Sequence, residues 1–378
     1  MAELLVARDT TSGERRVAAT PETVGKLMGL GLEVLVQRGA GLGARLDDAA
    51  YEAAGARLVD PGAPVTAAVV ARVSPPSPQD VAGLPPGTVL VSFVAPHRNL
   101  ATVRALAAGG ISTLAMELVP RISRAQSIDA LSSQANLVGY RAVILASYHL
   151  DKYFPLFMTA AGTIRPATVV VLGAGVAGLQ AVATARRLGA VVKVSDVRAA
   201  AKEEVASLGA TFLEVPEAED LTGEGGYAKE VGEDFLTRQR AMLTEAVASA
   251  HAVITTAQIP GRPAPVLLTR AMVEAMPPGA VVIDIAAADG GNCELTDVGG
   301  PVEHAGVTIV PGHDLPSQMP GEASALYARN VQALCALLVD DGTLRLDRDD
   351  EVIAGTLLTH AGEVVHERTA ELLAGGDA

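Results

Sequence analysis

At 378 residues the chain is too long for one ordinary core, and its length favours two domains. Hydrophobic residues make up 49% and charged residues 19%, with 3% aromatics and no Trp, so the cores must be built from Ala, Val and Leu. The formal charge of −14 disfavours nucleic acid or an anionic membrane surface as a general partner, because both repel an acidic protein.

The two cysteines, Cys293 and Cys335, offer neither a disulfide framework nor metal-ligand spacing with histidine. We therefore expect two reduced, buried thiols and no metal site. The N-terminus lacks the basic start and long apolar region of a signal peptide. No apolar run approaches the roughly 18 residues that a membrane-spanning helix needs. These features predict a soluble, cytoplasmic chain.

The first 120 residues or so predict an α/β domain without a glycine fingerprint. Thr20 is a predicted N-cap, with Pro21 at the first helical position and Glu22 in the positive first turn. The predicted strands are Leu4 to Ala7, Glu33 to Gln37, Val65 to Val73, Val89 to Val94 and Ile111 to Met116. Helices are predicted from Asp47 to Ala54 and from Leu100 to Ala108, and a surface loop from Pro75 to Pro86. Apolar strands that alternate with helices indicate a parallel sheet covered on both faces.

A glycine-rich turn follows the apolar run Thr168 to Leu172. The turn reads Gly173-Ala174-Gly175-Val176-Ala177-Gly178 and precedes a predicted helix from Leu179 to Leu188 and a strand from Val191 to Ser195. This is the pattern of a dinucleotide-binding βαβ unit. Gly173 makes the turn, Gly175 lets the backbone approach a pyrophosphate, and Gly178 lets helix and strand pack closely. The pyrophosphate would lie on the helix N-terminus.

Asp196 ends the second strand of this unit, where a carboxylate can hydrogen-bond a ribose 2′-hydroxyl. Arg198 offers the alternative of a partner for the 2′-phosphate of NADP. Asp196 would repel that phosphate by about 1 to 4 kcal/mol at short range, so the sequence favours NAD over NADP.

The remaining elements complete the predicted architecture. A long helix from Ser127 to Leu150 leads into the nucleotide domain, which has later strands at Val253 to Thr256 and Val281 to Ile285 and an exposed loop at Pro216 to Gly226. A second long helix, Glu322 to Val339, leads back. We therefore predict two Rossmann-like, doubly wound parallel-sheet α/β domains joined by long helices, with a cleft between them. Residues 1–137 plus 311–378 form the first domain, and residues 138–310 form the inserted NAD(H)-binding domain.

The richest polar stretch runs from Glu117 to Asn136. Gln126, Asp129 and Ser132 are spaced by three and would share one helix face. An ordinary N-terminal capping segment explains such residues as well as a nicotinamide site does. For a proton-transfer role His97, after a strand end, and Asp289, before Gly290-Gly291, are the candidates, although a lone histidine is usually structural.

The polar stretch resembles the nicotinamide-orienting loop of proton-translocating NAD(P) transhydrogenases, and the resemblance extends along essentially the whole chain. The further matching segments are Arg15 to Ala18, Gly173 to Gly178, Ser195 to Arg198, Gly225 to Ala228, Ile259 to Pro265, Asp284 to Ala286 and Gly290 to Cys293. The match is to the alpha subunit, domain I, in the form of a separate soluble subunit.

The resemblance implies hydride transfer between NADH bound by this chain and NADP(H) on a partner, coupled to proton translocation, in an enzyme of the Si-specific, proton-translocating type. Arg121, Gln126, Asp129 and Ser132 would surround the nicotinamide. The cofactor-binding set would be Gln126, Ser127, Ile128, Asp129, Gly173, Gly175, Val176, Gly178, Asp196, Val197, Arg198, Gly226, Tyr227, Gln239 and Gln258. Gly226 and Tyr227 would lie in a loop that closes over the nucleotide. Position 258 departs from the family pattern, because it is more often apolar in the family.

The implied partners are the membrane-spanning and NADP(H)-binding transhydrogenase subunits and a second copy of this chain in a homodimer, with no nucleic acid. The chain would be cytoplasmic and peripheral on the cytoplasmic face of the plasma membrane through those subunits.

Two alternatives compete with this interpretation. Alanine dehydrogenase, an NAD-dependent oxidative deaminase, shares the two-domain fold and relies on a lysine, a histidine and an aspartate two positions before a Gly-Gly pair. Here Arg72 stands near the lysine position, His97 near the histidine, and Asp289 is displaced by one residue. The second alternative is a catalytically silent NAD-binding regulator, against which the intact polar loop argues.

Overall fold

The computed structural model describes residues 2–198, 200–215, 232–258 and 262–375, with the backbone alone at 233 and 234. The chain divides into two compact units. The first comprises Met1–Gln134 and Pro316–Ala378, and the second comprises Ala135–Leu315. The second unit is therefore inserted in the sequence of the first.

The first unit begins with alternating strands and helices, as expected. Its strands are β1 Glu3–Val6, β2 Glu33–Gln37, β3 Arg57–Val59, β4 Val69–Ala71, β5 Val89–Ser92 and β6 Ser112–Ala115. Its helices here are α1 Pro21–Gly29, α2 Asp48–Ala53, α3 Pro78–Ala82 and α4 Leu100–Ala108. The predicted start of α1 is confirmed: Thr20 is the N-cap, its side chain accepts from Thr23 N, and Pro21 follows at the first position.

Two local predictions in this segment were wrong. The predicted loop from Pro75 to Pro86 contains α3, because Ser77 and Asp80 form a capping box around Pro78. The strand predicted from Val65 to Val73 pairs only over Val69–Ala71, since an apolar run does not show how many of its residues meet a neighbouring strand.

The second unit is built on a seven-stranded sheet. The elements from α5 onwards are α5 Ala130–His149, β7 Phe157–Thr159, β8 Gly162–Ile164, β9 Thr168–Leu172, α6 Val176–Arg187, β10 Val191–Ser195, α7 Ala201–Ser207, β11 Thr211–Phe212, α8 Glu233–Ala248, β12 Ala252–Thr255, α9 Arg270–Glu274, β13 Val281–Asp284, β14 Val302–His304 and β15 Val307–Pro311. The strand order is β11-β10-β9-β12-β13-β15-β14, parallel except for β14. β7 and β8 form a separate two-stranded hairpin.

The order of strands reverses between β9 and β12, the central pair of this sheet. In open α/β sheets ligands bind beyond the carboxyl ends of the strands at such a switch point. Two apolar clusters cover the two faces, because alternate residues of β9 point to opposite sides: Val169 and Val171 belong to one cluster, Val170 and Leu172 to the other.

The chain then returns to the first unit. The last elements are α10 Pro320–Leu338, β16 Val339–Asp340, β17 Thr343–Leu344, α11 Glu351–Thr356, β18 Leu357–His360, β19 Glu363–Val364 and α12 Glu367–Gly375. The first sheet has the order β19-β18-β6-β5-β4-β1-β2-β3. β1 to β6 are parallel, whereas β18 and β19 extend the edge in antiparallel fashion.

The predicted class is therefore confirmed: the protein is an α/β protein of two mainly parallel, helix-covered sheets. The antiparallel strands β14, β18 and β19 were not predicted. The cleft between the domains stays a prediction. Within the described ranges, no helix has the length and apolar character needed to cross a membrane.

Candidate nucleotide-binding site

Two glycines of the turn after β9 are sterically required. Gly173 has a φ of +105°, and a Cβ there would lie 2.5 Å from Thr256 Oγ1. A Cβ on Gly178 would lie 1.9 Å from the carbonyl oxygen of Gly173. These contacts fit the expected tasks of Gly173 in the turn and of Gly178 in close packing.

Gly175 differs from the other two glycines because, its chain neighbours aside, no described atom lies within 4 Å of the position its Cβ would take. It is the N-cap of α6, and no side chain of the described residues caps that end. The first-turn N–H groups of a helix have no intrahelical acceptor, and the helix dipole favours an anion there. The open backbone at Gly175 and Val176 therefore fits a pyrophosphate.

Asp196 links the end of β10 to the glycine turn. Its Oδ2 accepts from Ala174 N at 2.6 Å, and its Oδ1 accepts from Arg198 N at 2.9 Å. The Arg198 guanidinium also donates to both carboxylate oxygens, from Nε and Nη2, at 2.8 Å each. Burial alone would raise the pKa of Asp196, but these hydrogen bonds and the nearby cation lower it. The carboxylate is therefore ionised at neutral pH.

The segment that follows β12 lies beside the glycine turn that follows β9. Thr256 Oγ1 donates to Gly173 O at 3.1 Å. Asn292 clamps the next residue, because its Oδ1 accepts from Ala257 N at 2.9 Å and its Nδ2 donates to Ala257 O and to Pro265 O at 2.8 Å each. The fully buried Asn292 thus fixes the loop beside the glycine turn.

Asp284 is a second buried anchor at the same edge. Its Oδ1 accepts from Thr255 Oγ1 at 2.8 Å and from Ala286 N at 3.1 Å. Its Oδ2 accepts from Thr296 Oγ1 at 2.6 Å and from Cys293 N at 3.0 Å. Sequence reasoning noted these residues only as parts of matching segments and missed their scaffold role.

The other residues of this unit that are predicted to contact the cofactor differ in their exposure. Gln239 is buried on α8, whereas Gln258 is exposed and donates from Nε2 to Asp289 Oδ2 at 3.2 Å. Gly226 and Tyr227, with the rest of the predicted loop, lie outside the described residues.

In the first unit, Asp129 stands immediately before α5 and caps it. Asp129 Oδ1 accepts from Ser132 N at 2.9 Å, and Oδ2 accepts from Ser132 Oγ at 2.5 Å. The capping interpretation is therefore correct for this pair, and it does not exclude a ligand role. The side chains of Arg121, Gln126 and Ser127 are exposed.

The backbone of this polar loop is held from within the unit. Asn330 on α10 donates from Nδ2 to Ser127 O at 2.9 Å and accepts from Ser133 Oγ at 2.7 Å. The Ile128 side chain is buried in the core of the first unit, so it anchors the loop from below. The loop thus presents polar side chains from a fixed backbone.

Arg16, from the matching N-terminal segment, belongs to a buried polar network next to α5. It donates to both oxygens of Glu14 and to Gln134 Oε1 at 3.0 Å. Ser74 and Ser317 also donate to Glu14. Burial opposes ionisation of Glu14, but these donors outweigh it and lower the pKa to about 2. Sequence reasoning gave no role to Glu14.

Arg72, at the position near the alanine dehydrogenase lysine, is buried between two carboxylates. Its Nη2 lies 3.2 Å from Asp9 Oδ1 and its Nη1 lies 3.1 Å from Asp80 Oδ2. The half-buried His97 follows β5 in a loop whose backbone N–H groups, at Val94 and Ala95, donate to Glu117.

Comparisons with known proteins cover both units. The N-terminal domain of the alanine dehydrogenase/PNT family matches residues 5–138, and its C-terminal domain matches residues 142–367. An NAD(P) transhydrogenase alpha-subunit chain of Rhodospirillum rubrum, named as the first portion of that subunit, is 47% identical over 375 residues, which cover 96% of this chain and 98% of that protein.

Two solved structures are also similar to this chain over nearly its full length. The transhydrogenase of Sinorhizobium meliloti has a TM-score of 0.88 at 45% identity, covering 96% of this chain and 99% of the other. An L-alanine dehydrogenase has a TM-score of 0.82 at 25% identity, with 99% of each chain covered. The chain therefore belongs to the NAD(P) transhydrogenase alpha-subunit family, to which alanine dehydrogenase is related.

Proposed function

We propose that this chain is the NAD(H)-binding subunit of a proton-translocating transhydrogenase. It would transfer hydride between NADH bound here and NADP+ bound on a partner subunit, with transfer coupled to proton translocation across the membrane. The observation that carries the proposal is the 47% identity to a transhydrogenase subunit along nearly the full length of both chains. The stereochemical type stays a prediction.

The second unit would hold the adenosine and pyrophosphate end. The open backbone at Gly175 and Val176 supports a pyrophosphate site, and the ionised Asp196 supports a ribose site. We assign Val197, Gln239, Gln258, Gly226 and Tyr227 to the same nucleotide as further contacts.

The polar loop of the first unit would orient the nicotinamide. Bound NADH supplies the hydride at its nicotinamide C4, and no side chain needs to take or give a proton when the acceptor is a second nicotinamide. Arg121, Gln126, Asp129 and Ser132 would therefore act by positioning the ring. The capped start of α5 supports this role, since it fixes the direction of Asp129 and Ser132.

The partners would be the membrane-spanning and NADP(H)-binding subunits and a second copy of this chain. The name of the Rhodospirillum rubrum relative, which makes it one portion of an alpha subunit, supports such a division of labour. We place the chain in the cytoplasm, on the cytoplasmic face of the plasma membrane through its partners.

Alanine dehydrogenase is the second candidate, because the structural match to an L-alanine dehydrogenase covers 99% of the chain with a TM-score of 0.82. Two contacts weigh against it. Arg72 is buried between Asp9 and Asp80, and the side chain of Asp289 already pairs with that of Gln258. A substrate carboxylate would have to displace existing partners at Arg72.

A paired assay separates the two functions. The purified chain mixed with the NADP(H)-binding component should reduce NADP+ at the expense of NADH. The same chain with pyruvate, ammonia and NADH should leave NADH unchanged. Consumption of NADH in the second mixture alone would replace the proposed function with alanine dehydrogenase.

A further inference from the structure

The polar loop of the first unit packs against α11, a short helix from near the other end of the chain. Among the residues proposed to surround the nicotinamide, Asp129 and Ser132 take their direction from the start of α5. Arg121 lies outside any helix or strand. Its direction must therefore be set by what holds the loop on either side of it.

The first attachment lies at Pro120, directly before Arg121. A Cβ at Gly355 of α11 would lie 3.2 Å from both Cδ and Cγ of Pro120. That distance is shorter than an ordinary van der Waals contact, so the helix meets the loop at a glycine. The two segments also share one apolar core, whose buried members include Ala125, Ile128, Val352 and Ile353.

The second attachment is an ion pair between Arg124 and Asp350. Arg124 donates from Nη1 to Oδ2 of Asp350 at 2.7 Å and from Nη2 to Oδ1 at 2.8 Å. Two such bonds fix the direction of the guanidinium as well as its distance. Hydrogen bonds from Arg124 are the main cause that lowers the pKa of Asp350 to about 2. The pair is therefore charged at neutral pH.

Asp350 is itself held in place, because it is the N-cap of α11. Its Oδ1 accepts from Val352 N at 2.8 Å and from Ile353 N at 3.2 Å. The carboxylate that receives Arg124 is thus fixed to a helix whose side chains are buried in the core of the unit.

The exposure of the pair indicates that it acts on geometry more than on stability. The side chain of Arg124 is 51% exposed and that of Asp350 is 21% exposed. Exposed ion pairs contribute little to folding. The attachments at Pro120 and Arg124 nevertheless flank residues 121–123 on one helix. Such a restraint matters for a side chain that positions a reactant, because small displacements of reacting groups slow a reaction strongly.

A direct contact of Arg124 with the nucleotide or with the NADP(H)-binding partner is the alternative. Both terminal nitrogens of its guanidinium already donate to Asp350. A ligand at Arg124 would have to replace that acceptor. The geometry therefore favours an indirect role.

We propose that Arg124 and Asp350 are positioning residues for hydride transfer: through their pair, α11 holds residues 120–124 and keeps Arg121 directed at the nicotinamide. The inference rests on the proposed function, which supplies the role of Arg121. It gives the C-terminal segment a part in the site, which the sequence pattern does not suggest.

Hydride transfer and NADH titration on the full chain, mixed with the NADP(H)-binding component, test the inference. Arg124→Ala should slow transfer by roughly threefold to tenfold, while NADH affinity and the midpoint of urea unfolding stay near those of the parent. Asp350→Asn should have the same effect, because asparagine keeps the cap of α11 and loses the ion pair.

Arg57→Ala is the matched control. Arg57 is 54% exposed, pairs with Glu3 and Glu33, and lies on β3 at the opposite edge of the same sheet from β18 and β19. This variant loses an exposed arginine and its ion pairs but leaves the polar loop untouched. It should transfer hydride at the rate of the parent.

The double variant separates an indirect role from a direct one. If both residues act through one contact, Arg124→Ala combined with Asp350→Asn should be no slower than either single variant. Arg124→Lys, which keeps the charge but not the paired hydrogen bonds, should restore part of the rate. Additive losses, or an Asp350→Asn protein with the transfer rate of the parent, would overturn the inference and assign Arg124 a direct contact.

Hydrogen exchange tests the attachment without any transfer assay. The amides of Ala125 and Ile128 donate to Ile122 O at 3.0 Å and to Ala125 O at 2.9 Å. Both should exchange severalfold faster in Arg124→Ala and Asp350→Asn than in the parent or in Arg57→Ala. Unchanged exchange would overturn the inference. A parent chain that transfers no hydride would count against the proposed function, whereas the exchange result would still decide whether α11 holds the loop.

Discussion

Arg198 and Asp196, two residues apart, form a pair in which the guanidinium donates to both carboxylate oxygens at 2.8 Å. The only cation that the sequence suggested for an NADP 2′-phosphate is thus held by the residue expected to bind the NAD ribose. The same carboxylate accepts from Ala174 N in the glycine turn. The proposed choice of NAD over NADP and the shape of the turn would therefore depend on one side chain.

Asp196→Asn should relax the selectivity for NADH over NADPH. The amide oxygen can still accept from Ala174 N, while the repulsion of a 2′-phosphate, about 1 to 4 kcal/mol, disappears and Arg198 gains freedom to meet it. We expect NADPH binding to tighten by roughly tenfold or more. Fluorescence titrations with both nucleotides measure this. The double variant Asp196→Asn, Arg198→Ala should lose part of the gain in NADPH affinity. An Asp196→Asn protein that rejects NADPH as strongly as the parent would refute the assignment of Asp196 to cofactor selectivity.

Gly175→Ala and Gly178→Ala should separate binding from folding. At Gly178 a methyl group would meet Gly173 O at 1.9 Å, so the turn must move and both stability and NADH binding should fall. At Gly175 the methyl group enters open space, so the free energy of unfolding should fall by no more than about 1 kcal/mol, the loss that comes from alanine being a poorer N-cap than glycine. NADH binding should nevertheless weaken by roughly tenfold if the pyrophosphate lies against that backbone. Denaturant titration and calorimetry check both variants, and unchanged NADH affinity in Gly175→Ala would remove the pyrophosphate from this turn.

Asp129 has a capping role and a proposed nicotinamide role, which two substitutions distinguish. Asp129→Ala removes the acceptor for Ser132 N and should cost about 0.5 to 2 kcal/mol of stability. Asp129→Asn keeps a good N-cap and should retain the stability. The proposed function predicts that both variants, and Gln126→Ala, slow hydride transfer by roughly tenfold to a hundredfold while NADH affinity changes little. An Asp129→Asn protein with the parent's transfer rate would leave Asp129 as a cap alone.

Glu14 should make the first unit sensitive to acid. Its pKa is lowered from the ordinary value of 4.5 to about 2 in the folded chain, so its contribution to stability is complete above pH 4.5 and disappears as the pH falls towards 2. Glu14→Gln should lower the free energy of unfolding by about 2 to 3 kcal/mol at neutral pH. Urea titrations across this range should show the two proteins converging at low pH. A difference that stays constant with pH would mean that Glu14 acts through packing and not through its charge.

Local patterns in the sequence were sufficient where one short segment determines the structure. Thr20-Pro21 predicted the start of α1, and the spacing of Gly173, Gly175 and Gly178 predicted a turn between β9 and α6. The contacts of the Thr20 cap and the close approach of Gly178 to Gly173 lie within a few residues of one another, although Thr256 also constrains Gly173. The contact between Asp129 and Ser132 before α5 is local in the same way, whereas the nicotinamide role of the polar loop stays a prediction.

The scaffold of the site could not be predicted because its contacts join distant residues. Asn292 holds Ala257, 35 positions earlier, and Ser317 donates to Glu14 across 303 positions. β18 joins the sheet beside β6 far from it in sequence. Isolated Asn, Ser and Glu residues carry no periodic signal that would reveal such partners.

Transfer of deuterium tests the central claim most directly. NADH labelled with deuterium at the transferable nicotinamide C4 position is mixed with this chain, the NADP(H)-binding component and NADP+, and the NADPH formed is analysed by mass spectrometry. Direct transfer between two nicotinamides predicts that each NADPH carries one deuterium and that none reaches the solvent. Formation of NADPH without deuterium would contradict the account. So would a protein that forms no NADPH in this mixture but consumes NADH in a separate mixture with pyruvate and ammonia.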